Sequence, residues 1–259
     1  MERIKCTIAY DGSGFAGFQV QPAHRTVQGV LEKALIKMHK GEPIRIQASG
    51  RTDTGVHALG QVIHFDTPLT IPERNWKQAI NTLLPDDVRI MHVEKVHDNF
   101  HARYSVKQKE YHYMVLNRED PDVFRRDYVL HFPKSLDIEA IQAACKHLEG
   151  THDFTTFSSA KSSVKGSKVR TLYHASCRKK ENEIEFVFRG SGFLYNMVRI
   201  MVSALLDVGI GKRKPEDIPR LLAAKERGEL GKTISPAGLY LWEVSYDEQE
   251  ENESSISIE

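Results

Sequence analysis

The chain has 259 residues, of which 27% are charged and 40% hydrophobic, and its formal net charge is +1. That length can bury a sizeable core in one large domain or two small ones, and no apolar run reaches membrane-spanning length. The three cysteines, Cys6, Cys145 and Cys177, lie far apart, which argues against a disulfide or zinc framework and fits a reducing cytoplasmic compartment.

The charged start, Met1-Glu2-Arg3, runs at once into the alternating segment Ile4–Tyr10, so the opening reads as a strand and not as a secretory or transit segment. Tyr10-Asp11-Gly12-Ser13-Gly14-Phe15-Ala16-Gly17 follows and contains a literal G-x-G-x-x-G. A dinucleotide site would start a helix at the third glycine. Here Phe18, Gln19, Gln21 and Pro22 intervene, so a flexible substrate-facing loop is expected instead. Thr26 caps a helix with the apolar face Val27, Val30, Leu31, Ala34, Leu35 and Met38, ended by Gly41.

A strand is expected around Ile44–Ile46, then the polar loop Arg51-Thr52-Asp53-Thr54-Gly55-Val56-His57, then a strand Gln61–Phe65. Asp and Gly serve ordinary turns for local reasons, so the loop reads either as a hairpin turn or as a rigid mount for a reactive carboxylate, Asp53. A helix through Trp76, Ile80, Leu83 and Leu84, stopped by Pro85, leads into the strand Val88–Val93.

The order β-α-β-β-α-β then recurs. Glu110–Leu116 reads as a strand, and Ile138, Ile141, Ala144, Cys145 and Leu148 as a helical stripe stopped by Gly150. Strands over Val169–Cys177 and Ile184–Phe188 follow, then an apolar helix from about Phe193 to Val208, a short helix near Pro215, and a strand Leu239–Val244. The pattern predicts an α+β fold of two tandem ferredoxin-like halves whose antiparallel sheets meet at a central cleft. The expected division is residues 1–104, residues 105–246 and an acidic, solvating tail over 247–259, with a boundary near Phe100–Val106. Without the six carboxylates of that tail the body carries +7, which permits nucleic-acid binding.

Several residues are candidates for chemistry. None of the twelve histidines forms an HExxH pair or stands at ligand spacing to a cysteine, so no metal is expected, and His64 and His112 read as scattered surface or pocket groups. Between Lys161 and Lys180 lie seven basic residues, Lys165 and Lys168 among them, and no acidic one. That stretch reads as a solvated loop or as a contact for nucleic-acid phosphates. Tyr111 shares a strand face with Tyr113 and either packs or stacks on an unstacked base. Arg199 interrupts an apolar helix, so it either lies on a surface stripe or meets a carboxylate, for which Asp53 is the candidate.

Gly50–His57 with Gly60-Gln61-Val62 closely resembles the catalytic loop of the bacterial tRNA pseudouridine synthase A family. Tyr10-Asp11-Gly12 with Gly17-Phe18-Gln19, Lys109–Tyr113, Gly192-Phe193-Leu194 with Met197-Val198-Arg199, and Ser235–Leu239 are similar to that family's other blocks, in the family's order. The resemblance implies a cofactor-free isomerase that converts uridine to pseudouridine in the anticodon stem-loop of tRNA and acts as a homodimer. By the same resemblance Asp53 is the essential aspartate, Tyr111 the active-site aromatic, Arg51 an aid to base flipping and Arg199 the partner of the aspartate. Lys165, Lys168 and Leu239 are the remaining candidate substrate contacts. A tRNA-binding module without chemistry is the alternative reading; it would not need Asp53, Tyr111 and Arg199 all in place.

Overall fold

The computed structural model describes residues 1–159 and 166–247. The fold is mixed α/β, and the chain divides into two compact units, Met1–Lys107 with the segment from Leu241 onward, and Gln108–Tyr240.

In the first unit β1 (Glu2–Tyr10) is followed by α1 (Val27–Met38), β2 (Gln47–Ala48), β3 (His57–Thr67), α2 (Glu73–Leu83) and β4 (Val88–Val96). β1 lies between β3 and β4, antiparallel to both, and β2 pairs with the far side of β3. Alternation along β1 puts Ile4, Cys6, Ile8 and Tyr10 on one buried face. Opposite them on β3 stand Phe65, Ile63 and Gln61. Trp76 of α2 meets Phe65 edge-on with ring centroids 5.7 Å apart. Thr26 caps α1 by accepting the Gly29 N–H, as its sequence position implies.

Some boundaries in this unit differ from the sequence reading. Ile44–Ile46 is not a strand; the extended pairing begins only at Gln47, opposite His64. β3 starts at His57 rather than Gln61, because Ala58 already pairs with Tyr10 at the end of β1. A single isolated segment carries no sign of such non-local pairing.

The second unit contains β5 (Gln108–Leu116), β6 (Leu130–His131), α3 (Ile138–Lys146), β7 (Gly150–Asp153), β8 (Val169–Lys180), β9 (Glu183–Gly190), α4 (Met197–Gly209) and α5 (Asp217–Ala224). β10 (Leu239–Ser245) begins in this unit and passes into the first at Leu241. The antiparallel order is β5-β9-β8-β7, with β6 parallel to β5. β6 and β7 went unread in the sequence, being two and four residues long. Phe154, Phe157, Phe186, Phe188, Met201 and Leu205 are fully buried in the core. Gly209 lets α4 approach α3, since a Cβ there would stand 2.6 Å from the side chains of Ile141 and Leu136.

α4 starts at Met197, not at the expected Phe193. Asn196 takes a left-handed conformation with φ of 61°, which breaks the helical path just before it. Cys6, Cys145 and Cys177 are all buried free thiols, and burial pushes the Cys177 thiol up to about 12. Among the described residues no helix is long and apolar enough to cross a membrane.

Candidate active site

Asp53 sits in the half-buried turn that leads into β3, and the residues around it are held from three sides. Tyr10, the last residue of β1, places its hydroxyl 2.8 Å from Thr52 Oγ1. Burial pushes the Tyr10 phenol up to about 12, against hydrogen bonds with Thr52 and Gln61 that pull the other way, so it stays protonated near neutral pH. The buried Gln61 side chain accepts from Ser49 Oγ at 2.6 Å and donates to the Gly50 carbonyl at 3.0 Å. Both sides of the segment entering the Asp53 turn are therefore tied to the sheet.

The third support is the glycine-rich segment. Phe18 N–H donates to the Thr52 carbonyl at 3.0 Å, and Gly12 N–H to Nδ1 of the buried His57 at 3.0 Å. Gly17 has φ of +93°, and a Cβ there would stand 3.0 Å from the Thr52 carbonyl oxygen and 3.3 Å from Thr54 N. A Cβ on Gly12 would overlap the Val56 carbonyl at 2.0 Å. These glycines permit close backbone approach to the Asp53 turn, which closes on itself through Val56 N–H to the Asp53 carbonyl at 3.1 Å. Phe15 and Phe18 are buried, so the segment is a packed cradle and not the flexible loop that the sequence suggested. The helix after Gly17 begins only at Val27, so the strand–glycine–helix geometry of a dinucleotide site is not formed.

Arg51, two residues before Asp53, is exposed. In the second unit Tyr111 lies on β5 opposite Phe188, half-buried, with its ring edge-on to Phe193 at 4.9 Å. Tyr113, on the same face, is the packing tyrosine; its hydroxyl donates to the Ser235 carbonyl at 2.7 Å. Arg199 on α4 is half-buried, with Nε donating to the Ile234 carbonyl at 2.8 Å and an Nη to Asn196 Oδ1 at 2.9 Å. Those bonds orient its guanidinium, and they explain how an arginine sits in an otherwise apolar helix. Leu239 is buried, its N–H turned back onto the Pro236 carbonyl. Lys168 is half-buried next to β8, while Lys165 falls outside the described residues.

Of the surface and pocket readings of His64 and His112, the surface one does not hold, since both are buried. His64 Nδ1 accepts the Ala102 N–H at 3.1 Å. Burial first, then the Arg3 and His101 charges, pull its pKa down to about 4. His112 lies between two carboxylates, Glu110 at 2.5 Å and Glu185 at 2.6 Å. Burial works to raise the Glu110 carboxyl, but His112 and Arg189, which is hydrogen-bonded to it, outweigh that and hold it below the usual range. This charged ladder ties β5 to β9 in the register that faces Tyr111 with Phe188. Among the described residues no group of three or more His, Cys, Asp or Glu side chains could hold a metal ion.

Sequence reasoning had singled out Asp53 and missed its supports Tyr10, Thr52 and Gln61. The available signal was the position of Tyr10 at the end of a strand whose even-numbered residues are apolar.

Residues 7–105 and 144–247 match the family profile described as tRNA pseudouridine synthase. A protein of Oceanobacillus iheyensis named tRNA pseudouridine synthase A is 75% identical over 252 residues, covering 97% of this chain and all of the relative. Bacillus cereus has a protein named tRNA pseudouridine synthase A 1 that is 57% identical, over 95% of this chain and 100% of its own length. A Geobacillus kaustophilus protein, again named tRNA pseudouridine synthase A, is 54% identical over 96% of both chains.

Proposed function

The chain belongs to the tRNA pseudouridine synthase family, and from that premise we propose how its own residues carry the reaction. The protein is an RNA-modifying isomerase that converts uridine in tRNA to pseudouridine. The N1–C1′ bond breaks, the uracil turns, C5 bonds to C1′, and the proton displaced from C5 is balanced by one taken up at N1. No atom is gained or lost, so no cosubstrate is required.

Asp53 is the single reacting carboxylate. It either adds to C1′ or removes the 2′ proton on the way to a glycal, the route the family resemblance favours. A glycosidase places a second carboxylate to drive water or protonate a leaving group. An isomerase that keeps its leaving group needs no such partner, and the Asp53 turn offers one acid. The observation that carries the assignment is the fixation of this turn by Tyr10, Gln61 and the Gly12–Phe18 segment, because a reacting group must be held to within a fraction of an ångström.

Reaching a stacked uridine costs a few kcal/mol of unstacking, and the exposed Arg51 is the side chain we assign to fill the vacated place. Tyr111 serves the uracil ring, by stacking on it or by assisting removal of the C5 proton. Arg199 is assigned as the partner of the aspartate on the family resemblance. Lys165, Lys168 and Leu239 are assigned to substrate contact. The target is a uridine of the anticodon stem-loop, and the working form is a cytoplasmic homodimer; both follow the family resemblance. We also read the two units as ferredoxin-like halves. The β-α-β-β-α-β order and the β4-β1-β3-β2 pairing of the first support this, while the second inserts β6 and adds α5. Release of tritium from 5-tritiated uridine in unmodified tRNA tests the activity directly. Binding without release would favour the binding-module alternative.

A further inference from the structure

A groove of about 420 Å³ lies on the first unit between α2 and the start of β4, lined by Arg74, Lys77, Gln78, Asn81, Thr82 and Arg89. Positions 74, 77–78 and 81–82 form one stripe of α2, while Trp76 and Ile80 on its other side are buried. The floor of the groove is fixed, because the Asn81 side chain both donates to the Ile90 carbonyl at 3.0 Å and accepts the Ile90 N–H at 2.8 Å. Arg74 and Lys77 are exposed, and among the described residues neither has a carboxylate within ion-pair distance. Arg89 donates to the Asn81 carbonyl at 3.4 Å, and its one carboxylate neighbour among the described residues is the fully solvated Asp86 at 3.9 Å. The groove thus concentrates three cations and no lining acid.

Its position in the sheet gives this charge a direction. Arg89 pairs with Ala9 on β1, and the next residue, Tyr10, pairs with Val88 and Ala58 and holds Thr52 through its hydroxyl. The Asn81–Arg89 end of the groove therefore lies at the same end of the sheet as the Asp53 turn, with β4 and β3 about 10 Å apart. The groove runs from there along α2 to Arg74, next to Glu73, whose side chain accepts the Lys95 N–H near the other end of β4. An anionic carboxylate repels RNA, and a row of cations leading away from that end, Arg89, Lys77 and Arg74, offsets that repulsion.

We propose that this groove is a second RNA site, which seats backbone phosphates of the strand running on from the nucleotide at Asp53. The proposal rests on the tRNA reading above. Arg74 and Arg89 supply planar forks for phosphate oxygens, Lys77 a point charge, and Gln78 a neutral donor.

The test is filter binding of unmodified tRNA to the full chain between about 50 and 200 mM salt. It uses R74E/K77E, the neutral R74Q/K77Q, and as control K33E, which changes an exposed lysine on α1. R74E/K77E is expected to bind at least tenfold more weakly at low salt, with a log–log salt slope smaller by about 2, R74Q/K77Q to fall between, and K33E to match wild type. Wild-type affinity and slope in R74E/K77E, or an equal loss in K33E, overturns the groove. If wild type still releases tritium in that case, the isomerase reading stands without it. A wild type that neither binds tRNA nor releases tritium overturns both.

Discussion

Tyr10 and Thr52 lie 42 positions apart in the chain, yet their hydroxyls meet at 2.8 Å in a buried position, one residue before the carboxylate at Asp53. The contact joins the end of β1 to the turn that enters β3. Tyr10→Phe removes a hydrogen bond worth about 1 kcal/mol and leaves the ring packed. The expected result is a destabilisation of that size with a several-fold loss of turnover number. Thr52→Val in a double-mutant cycle should give a coupling energy near 1 kcal/mol. Additive effects of the two changes would mean that the contact does not steady the turn.

Gly17 gives a sharper test of the same support. Its φ of +93° and the 3.0 Å gap from a built Cβ to the Thr52 carbonyl make Gly17→Ala strained and push it against the turn. A left-handed non-glycine residue costs roughly 1–2 kcal/mol, which for a chain of this size lowers Tm by a few degrees. The variant should fold, and its kcat should fall at least tenfold while KM for tRNA changes little. Wild-type kcat would show that the turn tolerates displacement.

His64 makes stability depend on pH. Its folded pKa lies near 4, while the unfolded chain takes up this proton near 6.5. Above 6.5 the group is neutral in both states and contributes no pH dependence. As pH falls from 6.5 toward 4 only the unfolded chain is protonated, and stability is lost. At pH 5 the difference is about 2 kcal/mol. His64→Gln, which keeps an acceptor for the Ala102 N–H, should remove most of that decline in urea unfolding between pH 7 and 5. An equal decline in the variant would assign it to other groups.

Lys165→Glu with Lys168→Glu is expected to weaken tRNA binding and to flatten its salt dependence, because each lost phosphate contact reduces the number of counterions released. Salt titration of the double variant checks it, and an unchanged slope would remove both lysines from the RNA contact.

Local rules made much of the fold legible. Thr26 announced α1, and alternation announced β1, β5 and β9 with their buried faces. What stayed hidden was non-local. The start of β3 depends on Ala58 meeting Tyr10, and the start of α4 on the left-handed Asn196, neither of which a window of sequence contains. In the site, Asp53 stood out because its loop is chemically rich. Gln61 did not, because a buried glutamine reads like any polar residue in a strand until its partners Ser49 and Gly50 are in place. His112 misled for the same reason, since its two carboxylates lie two and 73 positions away.

On the proposed function Asp53 performs chemistry and is dispensable for holding tRNA. Tritium release from 5-tritiated uridine in unmodified tRNA, measured for wild type and Asp53→Asn with binding measured in parallel, addresses it most directly. Release is expected from wild type and essentially none from Asp53→Asn, with comparable tRNA binding by both. Full release by Asp53→Asn would contradict that role.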